Sequence, residues 1–208
     1  MCSVAASWKR SCMTCPRNDY PDSHGEAMSK RRETLRHTGL VIPTTHWDRD
    51  WYWPFERFRV KLIEMFGSVK QLWRTHPRYR FAIDGQAVAV EDYLEAVPAD
   101  RALLRRMGER GRFTVGPLYV QSDLYCTGGE AFIRNMLVGA AVARELGALQ
   151  KVVYLPDTFG HTPSMPMLVR GFGYDTYVFM RGLPAGFPAE RRFFRWRAPD
   201  GSMVQVLR

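Results

Sequence analysis

Cysteine is scarce in this chain of 208 residues, and its placement says more than its number. Of four, Cys2, Cys12 and Cys15 fall within the first fifteen residues and only Cys126 lies in the body of the sequence. That excludes a disulfide framework and implies a reducing compartment, so a cytoplasmic location is expected. Cys12 and Cys15 form a lone CxxC without a second ligand pair, which reads as an inert pair in a tail rather than a zinc or redox site. Long apolar runs are missing too. None reaches the roughly 18 residues of a membrane-spanning helix, and the N-terminus lacks the unbroken apolar stretch of a secretory signal. No membrane partner is expected. Acidic residues are outnumbered, 21 against 30 Lys and Arg, giving a formal net charge of +9. Such an excess attracts nucleic acid, anionic membranes or acidic substrates. Here the basic residues are scattered, dense only in "SKRRETLR" and "RRFFRWR". No nucleic-acid-binding motif accompanies them, so the expectation is a solvated Arg-rich surface and no nucleic-acid partner.

Apolar material is plentiful. Hydrophobic residues make up 46% and aromatic residues 13% of the chain, enough for a sizeable core in one domain or a piece of a larger one. Residues 1–37 are polar and irregular and read as a disordered extension; Met28 within them is a candidate for the true start of translation. Order begins near residue 38. "GLVIPTTH" suits a short buried strand. Pro54 suits a helix start, followed by Phe55, Phe58, Leu62, Met65, Phe66, Val69 and Trp73 at helical spacing. "YRFAID" reads as a second strand and residues 87–110 as helix interrupted at Pro98. "GRFTVG" is a third strand. A clear helix over 129–146 carries Phe132, Ile133, Met136, Leu137, Ala140 and Leu146 on one face, and Gly147 is placed to stop it. "KVVYLP", "DTYVFM", "FFRWRA" and "MVQVL" are further strands. Strand and helix alternate, which predicts an α/β fold with a parallel sheet, either open or a β/α barrel. The last residues, "GSMVQVLR", read as strand without a capped terminus, so a truncated domain is expected.

Chemistry concentrates in "PTTHWDRDWYW". His46 and Asp48 follow the first strand, and residues two apart in extended backbone face the same side. Asp157, in "YLPDTFGH", follows the fourth strand. Functional groups in parallel α/β folds collect at the carboxyl ends of strands, so His46, Asp48 and Asp157 are expected to converge. One His and two carboxylates suit a divalent metal such as zinc. Each residue alone has a plainer reading: His46 as a packed imidazole, Asp48 as a helix cap or a partner of Arg49 or Arg57, Asp157 as a turn residue. The convergence, not the spacing, argues for a site.

"HWDRDWYWPFERFR" resembles the opening motif of glycoside hydrolase family 38, the zinc-dependent retaining α-mannosidases. "YRFAIDGQAVAVEDYLEAVP", "GRFTVGPLYVQSD", "GGEAFIRNMLVG" and "YLPDTFGHTPSMPMLVRGFGYDTYVFMRG" resemble successive blocks of that family in order, across about residues 38–208. The resemblance implies the N-terminal portion of an incomplete β/α barrel. It also implies one Zn2+ held by His46, Asp48 and Asp157, with Asp157 doubling as the catalytic nucleophile. Trp51 would stack on the sugar ring, Arg181 would lie close to the nucleophile, and His161 would support the site from behind. An α-mannoside is the implied substrate, hydrolysed through a glycosyl-enzyme by a nucleophile and a second carboxyl group roughly 5–5.5 Å apart. The family's general acid/base and fourth metal ligand match nothing in this sequence. Asp123 is expected to line the cleft without being the acid, and Glu130 to be a first-turn helix residue. Two alternatives remain on residues alone: a metal-dependent sugar deacetylase, and an inactive metal- or sugar-binding remnant. Oligomeric state is left open.

Overall fold

The computed structural model describes residues 41–208 apart from Ala189. The expectations about residues 1–37, including the Cys12–Cys15 pair and the start at Met28, lie outside the described residues. Strands β1 (Thr44–Thr45), β2 (Phe81–Ile83) and β3 (Phe113–Thr114) run parallel in the order β1-β2-β3. Strands β4 (Val152–Leu155), β5 (Thr176–Phe179), β6 (Phe193–Arg197) and β7 (Met203–Leu207) form a second group in the order β4-β5-β7-β6. In it β4, β5 and β7 are parallel and β6 runs antiparallel outside β7. A parallel bridge between Val115 and Leu149 joins the two groups, with Val115 N–H donating to Ala148 O (2.9 Å) and Gln150 N–H to Val115 O (3.1 Å). The result is a bridged run of strands with crossover helices that does not close into a barrel, as expected for an incomplete one. Among the described residues no helix is long and apolar enough to cross a membrane.

Helix α1 (Phe55–Thr75) follows its apolar spacing: Phe58, Leu62, Phe66, Val69 and Trp73 are its buried residues. Each large apolar side chain so buried contributes about 1.5–3 kcal/mol of transfer free energy. Pro54 stands just outside as the N-cap, with φ −58° and ψ 154°; its carbonyl accepts from Arg57 and Phe58 N–H (2.9 and 3.2 Å). The other end is held by Arg112, whose guanidinium donates to the carbonyls of Trp73, His76 and Tyr79. Pro98 divides the next helical stretch as its missing N–H requires. Helix α2 (Val88–Ala96) ends there, and a 3-10 turn (Pro98–Asp100) leads into α3 (Arg101–Glu109). Helix α4 (Gly129–Glu145) is followed by Gly147 at φ +61°, a left-handed position that favours glycine and ends the helix. Helix α5 (Met165–Gly171) completes the set. Leu62, Phe66, Ile83, Tyr93 and Phe113 centre one core; Leu118, Met136, Leu155, Tyr177 and Trp196 centre a second.

Three expectations need correction. "GLVIPTTH" is not a buried strand: only Thr44–Thr45 pair, and Val41 and Ile42 are exposed at 90% and 73%. Strand β1 has β2 as its sole neighbour among the described residues. Leu137 is 54% exposed, because α4 rests on the sheet along Phe132, Met136, Gly139, Ala140 and Ala143, a stripe that leaves Leu137 on the flank. The final strands also break the alternation, since β6 and β7 form a hairpin turned at Asp200-Gly201.

Candidate active site

Every parallel strand delivers its next residues to one end of the sheet. A cleft of about 340 Å³ opens there, lined among others by His46, Asp48, Gln86, Gln121, Asp123 and Asp157. Parallel register places the first group. Thr45 pairs with Ile83 and Asp84 N–H donates to Thr45 O (3.2 Å), so His46 and Asp84 lie abreast. His46 Nδ1 is 2.5 Å from Asp84 Oδ2. A carboxylate only accepts, so Nδ1 carries the proton. The far nitrogen, Nε2, faces Asp48 Oδ1 at 3.5 Å and Asp157 Oδ2 at 3.8 Å. The bond to Asp84 raises the His46 pKa against the opposing effect of burial, with Asp84, Asp48 and Asp157 adding negative potential.

Asp157 sits between two groups. Its Oδ1 receives Arg181 Nη2 at 2.6 Å while Oδ2 faces His46. Arg181 also lies over the Phe159 ring, 4.5 Å from its centroid. His161 lies behind: Nε2 meets the Arg181 carbonyl at 2.9 Å and Nδ1 meets Tyr177 OH at 2.7 Å. The carbonyl can only accept, so Nε2 bears the hydrogen and Nδ1 accepts from the phenol. Burial lowers the His161 pKa, partly offset by the bond to Arg181, so this imidazole is neutral at pH 7. It fixes the backbone that presents Arg181.

Bulky rings in "HWDRDWYW" divide into two uses. Trp47, Tyr52 and Trp53 gather on Phe58 with centroids 6.3, 5.3 and 5.9 Å away, anchoring the segment to α1. Trp51 touches only the edge of Tyr52 among these rings (4.9 Å) and stays 73% exposed; it is outside the cleft lining. Arg49 pairs with Asp92 through two hydrogen bonds, 2.7 and 2.9 Å, not with Asp48.

Asp84, Gln86 and Gln121 were not singled out in the sequence. Asp84, 1% exposed, backs His46, and Gln86 and Gln121 secure it. Asp123 lines the cleft, and its Oδ1 accepts from Phe159 N–H at 2.9 Å, bracing the Asp157 loop. Thr158 Oγ1 adds a bond to Ser122 O at 3.3 Å. Glu130 pairs with Arg134 at 2.8 Å on the exposed first turn of α4, away from the cleft. "DGQ" after a strand was the one available signal, a polar triplet where an apolar strand ends.

Among the described residues no group of three or more His, Cys, Asp or Glu side chains is arranged to hold a metal ion. His46 Nε2, Asp48 Oδ1 and Asp157 Oδ2 are nonetheless gathered at 3.5 and 3.8 Å. Two ligands of a tetrahedral zinc ion, bound at about 2.0–2.2 Å, stand about 3.3–3.6 Å apart. One imidazole nitrogen and two carboxylate oxygens are donor types that suit a divalent cation such as zinc.

Residues 36–208 match the sequence pattern of the glycosyl hydrolases family 38 N-terminal domain. A protein of Halalkalibacterium halodurans, described as a candidate mannosylglycerate hydrolase, is 36% identical over 182 residues, which is 82% of this chain and 20% of that one. An α-mannosidase of Saccharomyces cerevisiae is 28% identical over 204 residues, 94% of this chain and 19% of the yeast protein. The crystal structure of an α-mannosidase from Enterococcus faecalis V583 superimposes with a TM-score of 0.76 at 30% identity, covering 80% of this chain and 19% of that chain. This chain thus spans about a fifth of the length of these relatives.

Proposed function

The chain belongs to glycoside hydrolase family 38, and from that premise we propose that it supplies the nucleophile side of an α-mannosidase active site acting on terminal α-mannosides. The observation that carries this reading is the setting of Asp157. One carboxylate oxygen is held by Arg181 at 2.6 Å, and the other faces His46 Nε2 at 3.8 Å. Arg181 so fixes the orientation of the carboxylate and leaves Oδ2 turned toward His46.

In this reading an Asp157 oxygen attacks the anomeric carbon as the bond to the leaving oxygen breaks. The leaving oxygen takes its proton from a general acid that no residue of this chain is assigned to provide. Water then attacks the same carbon, gives its proton to the conjugate base of that general acid and releases Asp157. Arg181 fixes the rotation of the nucleophile, and His161 fixes Arg181. Trp51, exposed though outside the cleft lining, is the flat apolar ring this reading assigns to the C–H face of the sugar. The family is in general metal-dependent, and His46, Asp48 and Asp157 are the residues that would hold Zn2+. Bound there, the ion supplies Lewis-acid contact to adjacent sugar hydroxyls. A cytoplasmic site of action belongs to the same reading, on the single cysteine of the body; fractionation of cells making a tagged chain tests it.

The test is an assay of the chain, and of the longest form that can be produced, on 4-nitrophenyl α-mannoside and on mannosylglycerate, with and without zinc. A 5-fluoro mannosyl reagent should label Asp157. Turnover that survives Asp157→Asn refutes the nucleophile. Hydrolysis of an acetylated sugar without any label on Asp157 replaces this reading with a deacetylase, and zinc binding without turnover in every form replaces it with a binding remnant.

A further inference from the structure

We propose that Asp84 is a positioning residue for His46. It fixes the imidazole in its Nδ1–H form and presents the bare Nε2 to the cation; this rests on the metal reading above. A neutral imidazole has two tautomers, and only one leaves Nε2 free to ligate. The carboxylate against Nδ1 selects that one, since it can receive a proton from Nδ1 and has none to give.

The structure invests heavily in that carboxylate. Asp84 is 1% exposed, and a buried carboxylate is costly unless paired and hydrogen-bonded. Its Oδ2 meets His46 Nδ1 at 2.5 Å and its Oδ1 accepts from Gln86 Nε2 at 3.3 Å. The same Gln86 amide donates to Trp47 O at 2.8 Å, so one side chain ties Asp84 to the residue after His46. The Asp84 carbonyl accepts from Gln121 Nε2, which also reaches Tyr154 O at 3.5 Å. Backbone geometry closes the arrangement. Gly85 has φ +93°, and a Cβ there would lie 2.9 Å from Tyr154 O. Glycine is therefore demanded both by the left-handed backbone and by the closeness of β4. The segments after β1, β2 and β3, together with β4 itself, converge on this one acid. A fixed carboxylate behind a ligating histidine orients the ring and raises its basicity, and its removal costs roughly 10–100-fold in metal affinity.

The experiment uses the full 208-residue chain and reads two quantities. Long-range ¹H–¹⁵N NMR of metal-free protein, at a pH where His46 is neutral, reports the tautomer. Competition against a chromophoric chelator reports zinc affinity. In the wild type His46 should be protonated at Nδ1. Asp84→Asn can present an N–H to that nitrogen, so the ring should shift toward Nε2–H and zinc affinity should fall about 10–100-fold. Thermal melting of the variant separates this from general destabilisation, which would not move the tautomer of the folded form. Asp48→Asn serves as the comparison. If it weakens zinc while Asp84→Asn does not, the inference fails and the metal reading stands. If neither matters, the metal reading itself fails. A wild-type His46 protonated at Nε2 overturns the inference without any variant.

Discussion

Two glycines inside helices, Gly139 in α4 and Gly67 in α1, should respond to the same substitution with opposite signs. A Cβ at Gly139 would lie 2.1 Å from Leu118 C, 2.3 Å from Tyr119 N and 2.4 Å from Leu118 O, all backbone atoms. Carbon–carbon contact needs about 3.5–4.0 Å, so α4 and residues 118–119 must part by more than an ångström. The contact is also hydrogen-bonded. Tyr119 N–H donates to Asn135 O (3.1 Å), and the Asn135 side chain accepts from Val120 N–H and donates to Val120 O (2.8 Å each). Losing two of these bonds costs about 2 kcal/mol, and overpacking adds about 1–3 kcal/mol. The better helix propensity of alanine returns about 1 kcal/mol, leaving Gly139→Ala destabilised by about 2–4 kcal/mol. At Gly67 a Cβ meets nothing within 4 Å, so only propensity acts and Gly67→Ala should gain about 0.5–1 kcal/mol. For a chain of this size each kcal/mol moves Tm by about 2–4 °C. Thermal and urea denaturation followed by circular dichroism should show a drop of about 4–16 °C at Gly139 and a rise of about 1–4 °C at Gly67. Equal signs at the two sites, or Gly139→Ala within 1 kcal/mol of wild type, would refute the close approach of α4. The displaced strand end continues into Gln121 and Asp123 of the cleft wall, so Gly139→Ala should also weaken ligand binding there.

Arg112→Ala removes a charged donor from three carbonyls beyond and at the end of α1 and should cost about 1.5–3 kcal/mol in urea denaturation. Arg112→Lys should recover only part, because an ammonium lacks the planar fork; full recovery contradicts the cap. His161 has a depressed pKa in the fold. Its stabilisation is complete above the unfolded value near 6.5 and is lost as pH falls below it, because the unfolded chain then binds the extra proton. The wild-type minus His161→Gln stability difference should therefore shrink on acidification, and a difference that grows refutes the neutral imidazole. At Asp100, desolvation pushes the carboxyl up, but Lys70 and Tyr93 together bring it below the usual value. Stability from this group is present above the unfolded value of 3.8 and is lost on further acidification; Asp100→Asn should remove that acid limb in Tm measured against pH.

Local patterning carried much of the fold into view. The spacing of Phe58, Leu62, Phe66, Val69 and Trp73 determined α1 because a 3.6-residue period leaves one apolar stripe to bury. Pro98 and Gly147 marked helix ends through constraints internal to each residue. Alternating strands and helices determined a parallel arrangement, and that alone sends His46, Asp48 and Asp157 to one end of the sheet. Other features depended on partners far along the chain. Val41 and Ile42 look like core in sequence, yet they are exposed, and among the described residues β1 pairs with β2 alone. The insertion of β7 between β5 and β6 follows from pairing energetics across the sheet, which no local pattern encodes. Asp84 reads as an ordinary strand-end acid until the register of β1 on β2 sets it beside His46, 38 positions away in sequence. The sequence by itself thus determined which residues can do chemistry and at which strand ends they stand, since residue type and periodicity are local. Only the tertiary structure decided which nitrogen of His46 faces Asp157, which acid stands behind that imidazole and which aromatic ring stays exposed. Those are set by long-range register and packing.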